Sequence, residues 1–198
     1  MDIINVNLPT NGSFKRRNST DEIILHHAEA SRASVEEVNR WHLERGWTGI
    51  GYHFYIRKDG KVYRGRPEWA VGAHAQGHNS RAIGICVEGS YMTEIMPQAQ
   101  LDALKGLIRT MMAKYPGAKL LRHKDVNSTD CPGTKFPWAE VQKYNTQTTA
   151  KKEETKMTDK EFAAHEERYQ AEKANQKPHP YAAEAWQAAT DAGIMDGT

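Results

Sequence analysis

The run Ile23-Ile24-Leu25-His26-His27 restricts the fold more than any other stretch of the chain. Three large apolar side chains in succession predict a strand covered on both faces, as in the interior of a sheet with helices packed on it. A histidine pair then stands where the strand gives way to a loop. Histidine packs poorly at such an end but suits the rim of a site, because ligand sites in open α/β sheets gather outside the carboxyl ends of strands.

The neighbouring elements follow from local signals. Ser34-Val35-Glu36-Glu37 is a capping box opening a helix with Val35, Val38 and Trp41 on one face and Gly46 as its stop. Two aromatic-rich strands, Tyr52–Ile56 and Lys61–Arg64, flank Asp59-Gly60, a hairpin signal in which both turn residues favour positive φ. Residues 69–80 lack a period and read as a loop. Ala82–Val87 is a second buried strand, in which Cys86 acts as a small apolar side chain. Pro97 opens a long helix whose Leu101, Leu104, Ile108, Met111 and Tyr115 form one apolar face, ended by Pro116-Gly117. Lys119-Leu120-Leu121 is a short strand, and Pro137-Trp138 starts a last helix to about residue 145. Residues 1–20 read as an irregular arm. The order predicts an α/β fold with a mixed central β-sheet flanked by helices.

Composition sets the outer limits. The 198 residues suffice for one domain, 1–145, and an appendage: a charged, threonine-rich linker at 146–157 and a helical tail at 158–198. Residues 146–198 carry 7 basic against 10 acidic side chains, leaving 20 against 15 in residues 1–145. That mild basic excess contains no Lys/Arg cluster of the kind that binds nucleic acid, so no nucleic-acid partner is expected. No apolar run approaches the roughly 20 residues that span a bilayer, so membrane insertion is not expected. The N-terminus lacks an apolar segment behind a basic start, which predicts synthesis in the cytoplasm without a signal peptide. With two cysteines, Cys86 and Cys131, disulfides are not the source of stability.

Cys131 lies in a polar, turn-rich segment, Leu121–Gly133 (LRHKDVNSTDCPG), where packing explains a cysteine poorly. His123, eight residues ahead, and His26 upstream would complete a three-ligand set of the sort that holds catalytic zinc with one position left open. Spacing alone leaves the alternative of satisfied or exposed histidines open.

Four stretches carry a resemblance: residues 21–30 (DEIILHHAEA), 41–66 (WHLERGWTGIGYHFYIRKDGKVYRGR), 70–89 (AVGAHAQGHNSRAIGICVEG) and 121–133. In this order, and over roughly residues 14–145, the chain resembles the type 2 N-acetylmuramoyl-L-alanine amidases. That family is shared by the lysozymes of T-odd coliphages and the peptidoglycan recognition proteins. The resemblance implies one zinc ion on His26, His123 and Cys131, with Tyr52 assisting catalysis. Thr129 matches a position that is threonine in catalytic recognition proteins and lysine in the coliphage enzyme, so the second polarising group stays open; Lys124 is nearby in sequence. His74 matches a position near the substrate groove and is expected to bind substrate. His27 and His53 alternate with His26 and Tyr52 and are expected to point away, and His42 to lie on the surface; Trp47 could line a glycan groove, although aromatics after a helix more often pack in the core.

The implied activity is hydrolysis of the amide between N-acetylmuramic acid and L-alanine in peptidoglycan, by an endolysin of phage or prophage that meets the wall after release at lysis. Two alternatives remain at this point: a module that recognises peptidoglycan without cutting it, and an enzyme using Cys131 as nucleophile with His123. The last residues, WQAATDAGIMDGT, resemble the start of a surface-layer homology repeat, which would make the tail a partial cell-wall anchor.

Overall fold

The structure of the chain, a computed structural model, describes residues 2–143. The expected linker at 146–157 and tail at 158–198 lie outside the described residues. Six strands form one sheet: β1 (Ile3–Asn5), β2 (Glu22–His27), β3 (Phe54–Ile56), β4 (Val62–Arg64), β5 (Ala82–Val87) and β6 (Lys119–Arg122). Among the described residues three α-helices accompany them: α1 (Val35–Glu44), α2 (Gln98–Lys114) and α3 (Trp138–Val141). The strand order is β1-β4-β3-β5-β2-β6, with β3 and β4 antiparallel and every other neighbouring pair parallel. The mixed sheet with flanking helices is therefore present as expected.

Both faces of the centre are covered, which explains the unbroken apolar runs. Ile23, Leu25, Ile83 and Ile85 pack with Leu101, Leu104, Leu107 and Ile108 of α2. Cys86 and Tyr55 pack on the opposite face with Val35 and Val38 of α1 and with Ile50. Side chains alternate across a strand, so His26 and its register partner Cys86 share the α1 face. Because β2, β5 and β6 run parallel, their carboxyl ends open together on one edge. His26 and His27 close β2 there, and His123 follows β6 in a 3-10 turn, His123–Asp125.

Two local expectations are revised. The amino-terminal arm is not wholly irregular: Ile3–Asn5 adds a strand parallel to β4, and Arg17 is buried, donating to the carbonyls of Ala70, Ala82 and Glu68. Three residues are too few for periodicity to announce a strand. In the hairpin only Gly60 has positive φ (84°), with its amide bonded to the Arg57 carbonyl. Three residues, Lys58 to Gly60, make the connection, and a three-residue loop needs one left-handed position rather than the two of the tightest turn.

The capping box of α1 is formed as expected, Ser34 accepting from the Glu37 amide and Glu37 from the Ser34 amide.

Candidate metal centre

Each side chain expected as a metal ligand comes to the carboxyl edge by a separate route. His26 is the penultimate residue of β2, His123 opens the 3-10 turn after β6, and Cys131 closes the loop that follows. That loop is tied back on itself, since the Lys124 amide donates to the Cys131 carbonyl at 2.9 Å and the Cys131 amide to Thr129 Oγ1 at 3.2 Å. The Cys131–Pro132 peptide bond is cis. One candidate ligand atom from each of His26, His123 and Cys131 lies within 4.8 Å of the other two. His26 Nδ1 is 3.8 Å from Cys131 Sγ, and the His26 and His123 rings are 4.4 Å apart between centroids.

Hydrogen bonds leave one nitrogen of His123 uncommitted and set both nitrogens of His26 against named partners. His123 Nε2 lies 3.1 Å from Asn127 Oδ1, an acceptor, so the proton sits on Nε2 and Nδ1 is bare. Asn127 is itself held by donating to the Gln76 carbonyl. His26 Nε2 lies 3.0 Å from His74 Nδ1, while its Nδ1 faces the sulfur. Burial holds the pKa of His26 well below that of a free imidazole, and the neighbouring histidines His74 and His123 add to the effect. Burial also lowers His123, opposed by its bond to Asn127. Both are thus neutral bases at neutral pH, the form that binds metal.

Burial pushes the Cys131 thiol up to about 12, opposed by a hydrogen bond from the His27 amide. The half-buried Cys131 thiol stands beside two imidazoles, and among the described residues no ion pair holds its thiolate. A divalent ion among these donors would supply positive charge and deprotonate the sulfur. The donor set therefore fits zinc, which takes imidazole and thiolate.

The cluster opens into a cavity of about 230 Å³ lined also by Glu29, Trp41, His42, Arg45, Tyr52 and Thr129. The Tyr52 ring lies 5.2 Å from that of His26. Burial raises the Tyr52 phenol well above its ordinary pKa, with the Cys86 and Cys131 sulfurs adding to the rise, so it is a donor at neutral pH. Thr129 Oγ1 accepts from the Cys131 amide, and the residue lines the same cavity. Lys124 does not line this cavity; its side chain borders a shallower depression with Asn127 and Asp130.

A family profile for N-acetylmuramoyl-L-alanine amidase matches residues 16–134. The chain belongs to this family. Among its relatives, the endolysin of Escherichia phage T7 is 43% identical over 129 residues, covering 60% of this chain and 84% of that protein. Two solved structures are similar throughout the domain. The N-acetylmuramoyl-L-alanine amidase LysC from Clostridium intestinale URNW is 43% identical, with a TM-score of 0.70 over 72% of this chain and 96% of that one. Wild-type Drosophila PGRP-LB is 34% identical, with a TM-score of 0.63 over 71% and 92%.

Four residues occupy places that sequence patterns in this family member do not announce. His42, expected at the surface, is buried: its Nδ1 accepts the Gly51 amide at 2.9 Å and its ring stacks on Trp47, 4.6 Å away. Gly51 immediately precedes Tyr52, so His42 helps fix where the phenol stands. Trp47 takes the groove position rather than the commoner core one: it is 36% exposed and borders a groove of about 690 Å³ beside the cluster, with His74, Asn79, His123 and Thr129. Asn127 orients His123, as above. His74 borders the groove, yet its residue is only 8% exposed and its Nδ1 is turned onto His26. His27 and His53 do face elsewhere, accepting the amides of Tyr91 and Gly84.

Proposed function

We propose that this chain hydrolyses the bond between N-acetylmuramic acid and L-alanine in bacterial peptidoglycan, using one zinc ion on His26, His123 and Cys131, and that it serves as an endolysin. The observation that carries the reading is the convergence of two imidazoles and a thiol, one candidate ligand atom of each within 4.8 Å of the others, at the carboxyl edge of the parallel strands, inside a cavity shared with Tyr52 and Thr129. Membership of the amidase family and the T7 endolysin relative support the substrate and the lytic role.

When bound, zinc supplies Lewis-acid polarisation of the scissile carbonyl and acidifies water from a pKa near 16 to about 7. The chain's residues do the rest. Tyr52, kept protonated by burial, donates to the oxygen that gains charge as the carbonyl is attacked. Thr129 offers a second donor from the ligand loop. His42 and Asn127 hold Tyr52 and His123 in place. Cys131 is a ligand in this scheme, not a nucleophile; its raised pKa without a cation makes it a poor nucleophile at neutral pH.

No helix among the described residues is long and apolar enough to cross a membrane. The segment from residue 146 is proposed as a linker and partial wall anchor; co-sedimentation with cell walls of the full chain against one ending at residue 145 tests it.

The test of activity is loss of turbidity of purified walls together with release of new L-alanine amino termini. Chelation should abolish both and zinc should restore them. Full hydrolysis in a rigorously metal-free preparation overturns the zinc assignment, and binding to walls without new amino termini overturns the hydrolase.

A further inference from the structure

We propose that His74 is a positioning residue for the metal centre: it accepts a hydrogen bond from His26 Nε2 and so fixes the tautomer in which His26 Nδ1 is bare and directed at Cys131. The inference rests on the reading of His26, His123 and Cys131 as a zinc site.

The argument begins with proton counting. A neutral imidazole carries one N–H, and only the other nitrogen can bind a metal. The contact between His26 Nε2 and His74 Nδ1, at 3.0 Å, requires one of the two nitrogens to carry the proton. If His74 Nδ1 carried it, His26 would accept at Nε2, and its own proton would sit on Nδ1. That nitrogen is 3.8 Å from Cys131 Sγ, and a proton there would block the ligand position. If His74 Nδ1 is bare, the opposite holds and the ligand lone pair is free.

The surroundings of His74 decide between the two. Its Nε2 is buried without a well-formed hydrogen bond, and the acceptor beside it is the Ala82 carbonyl, which favours a proton on that nitrogen. That carbonyl also takes a bond from Arg17 Nη1 at 3.2 Å, so it is anchored in the buried arginine's network. With the proton on Nε2, His74 Nδ1 is an acceptor.

The ring is also held mechanically. A Cβ added at Gly72 or at Gly84 would fall 2.5 Å from His74 Cδ2. Gly84 sits in the middle of β5, where glycine weakens a strand and marks close approach of another group. Here the two missing side chains make the slot in which the His74 ring stands edge-on to that of His26, 5.0 Å away at 82°. Ligand histidines are commonly oriented by a hydrogen bond to their second nitrogen, and losing that partner weakens metal binding about 10–100-fold.

Three variants of the full chain test the assignment: His74→Asn, His74→Gln and His74→Ala. Asparagine places a carbonyl oxygen near the site of Nδ1, whereas glutamine reaches the site of Nε2. The readouts are the zinc dissociation constant by chelator competition and, on the metal-free chains, the ¹⁵N shifts of His26, which report its tautomer. The Ala and Gln variants should bind zinc about 10–100-fold more weakly and show mixed tautomers at His26. The Asn variant should stay within a few-fold of the natural chain, with the proton on Nε2. If the Ala variant does not fold, the Asn and Gln pair, which both fill the slot, decides. Equal zinc affinity in the natural chain and the Gln variant, or an Asn variant as weak as Gln, overturns the role of His74. A natural chain that binds no stoichiometric zinc overturns the metal reading itself, and the two failures are thus told apart.

Discussion

Cys131 Sγ lies 3.8 Å from His26 Nδ1, although 105 residues separate the two in sequence. Nothing in their packing requires a metal, since the sheet core of Ile23, Leu25, Ile83 and Ile85 is complete without them. Zinc removal should therefore leave the chain folded but inactive. Cys131→Ser and His123→Ala should each lose stoichiometric zinc by elemental analysis. Wall hydrolysis should fall by at least about 10³-fold, the scale of several kcal/mol of lost charge stabilisation. Added zinc should raise the melting temperature of the natural chain and not of the variants, because it binds only the folded site. Variants that keep zinc and activity would refute the ligand set.

Tyr52→Phe should separate chemistry from metal binding. The ring stays, so its packing 5.2 Å from His26 is kept while the donor is lost. The expected result is unchanged zinc content and a fall in kcat of about 10²–10³-fold, as for removal of one oxyanion donor in other hydrolases. A full kcat would reduce Tyr52 to a wall of the cavity.

Thr129→Val keeps the shape of the side chain and removes two functions at once: the acceptor for the Cys131 amide and the hydroxyl proton. Hydrolysis should fall more than zinc affinity does. If affinity falls and kcat does not, Thr129 serves the loop and not the reaction.

The parts of this site that were legible in the sequence are those carried by local pattern. An apolar run ending in histidines and a polar loop bearing a cysteine raise His26, His123 and Cys131 as candidates within a dozen residues each, while Tyr52 is singled out by the family resemblance and not by pattern. What was not legible depends on contacts across the fold. His42 looks like a polar residue next to Trp41 until its ring is seen to accept the Gly51 amide. His74 gains its place from voids at Gly72 and Gly84, and a sequence shows glycines, not the ring that fills their space. The burial of Arg17 follows from carbonyls at residues 68, 70 and 82, which no periodicity in the amino-terminal arm could reveal.

Buried neutral histidines make the fold sensitive to acid. Burial lowers His42 to about 4 and His53 to about 3, against 6.5 for the free side chain. The unfolded chain therefore takes up protons below pH 6.5 that the folded chain refuses. The stability these groups confer is complete above about 6.5 and is lost as pH falls towards 4. Each contributes a slope of up to about 1.4 kcal/mol per pH unit. His42→Asn keeps an acceptor for the Gly51 amide but cannot titrate. Urea unfolding from pH 7.5 to 4.5 should show a shallower loss of stability in that variant, by up to one proton's slope. Parallel curves would mean that His42 titrates alike in both states.

Gly84→Ala is the substitution that acts on the site from the greatest chemical distance. Residue 84 belongs to the interior of β5 and presents no polar group to the cluster, but its new methyl would meet the His74 ring at 2.5–2.8 Å. A central strand paired on both sides cannot yield, so the ring must leave its slot. Overpacking of this kind costs about 1–3 kcal/mol of stability. Displacement of His74 should lower zinc affinity in addition. A control of similar instability separates the two effects: Ile83→Val, on the α2 face of the same strand, should cost about 0.5–1.5 kcal/mol and leave zinc affinity unchanged. If both variants weaken zinc in proportion to lost stability, the effect is one of folding. If only Gly84→Ala does, the slot behind His26 is part of the metal centre.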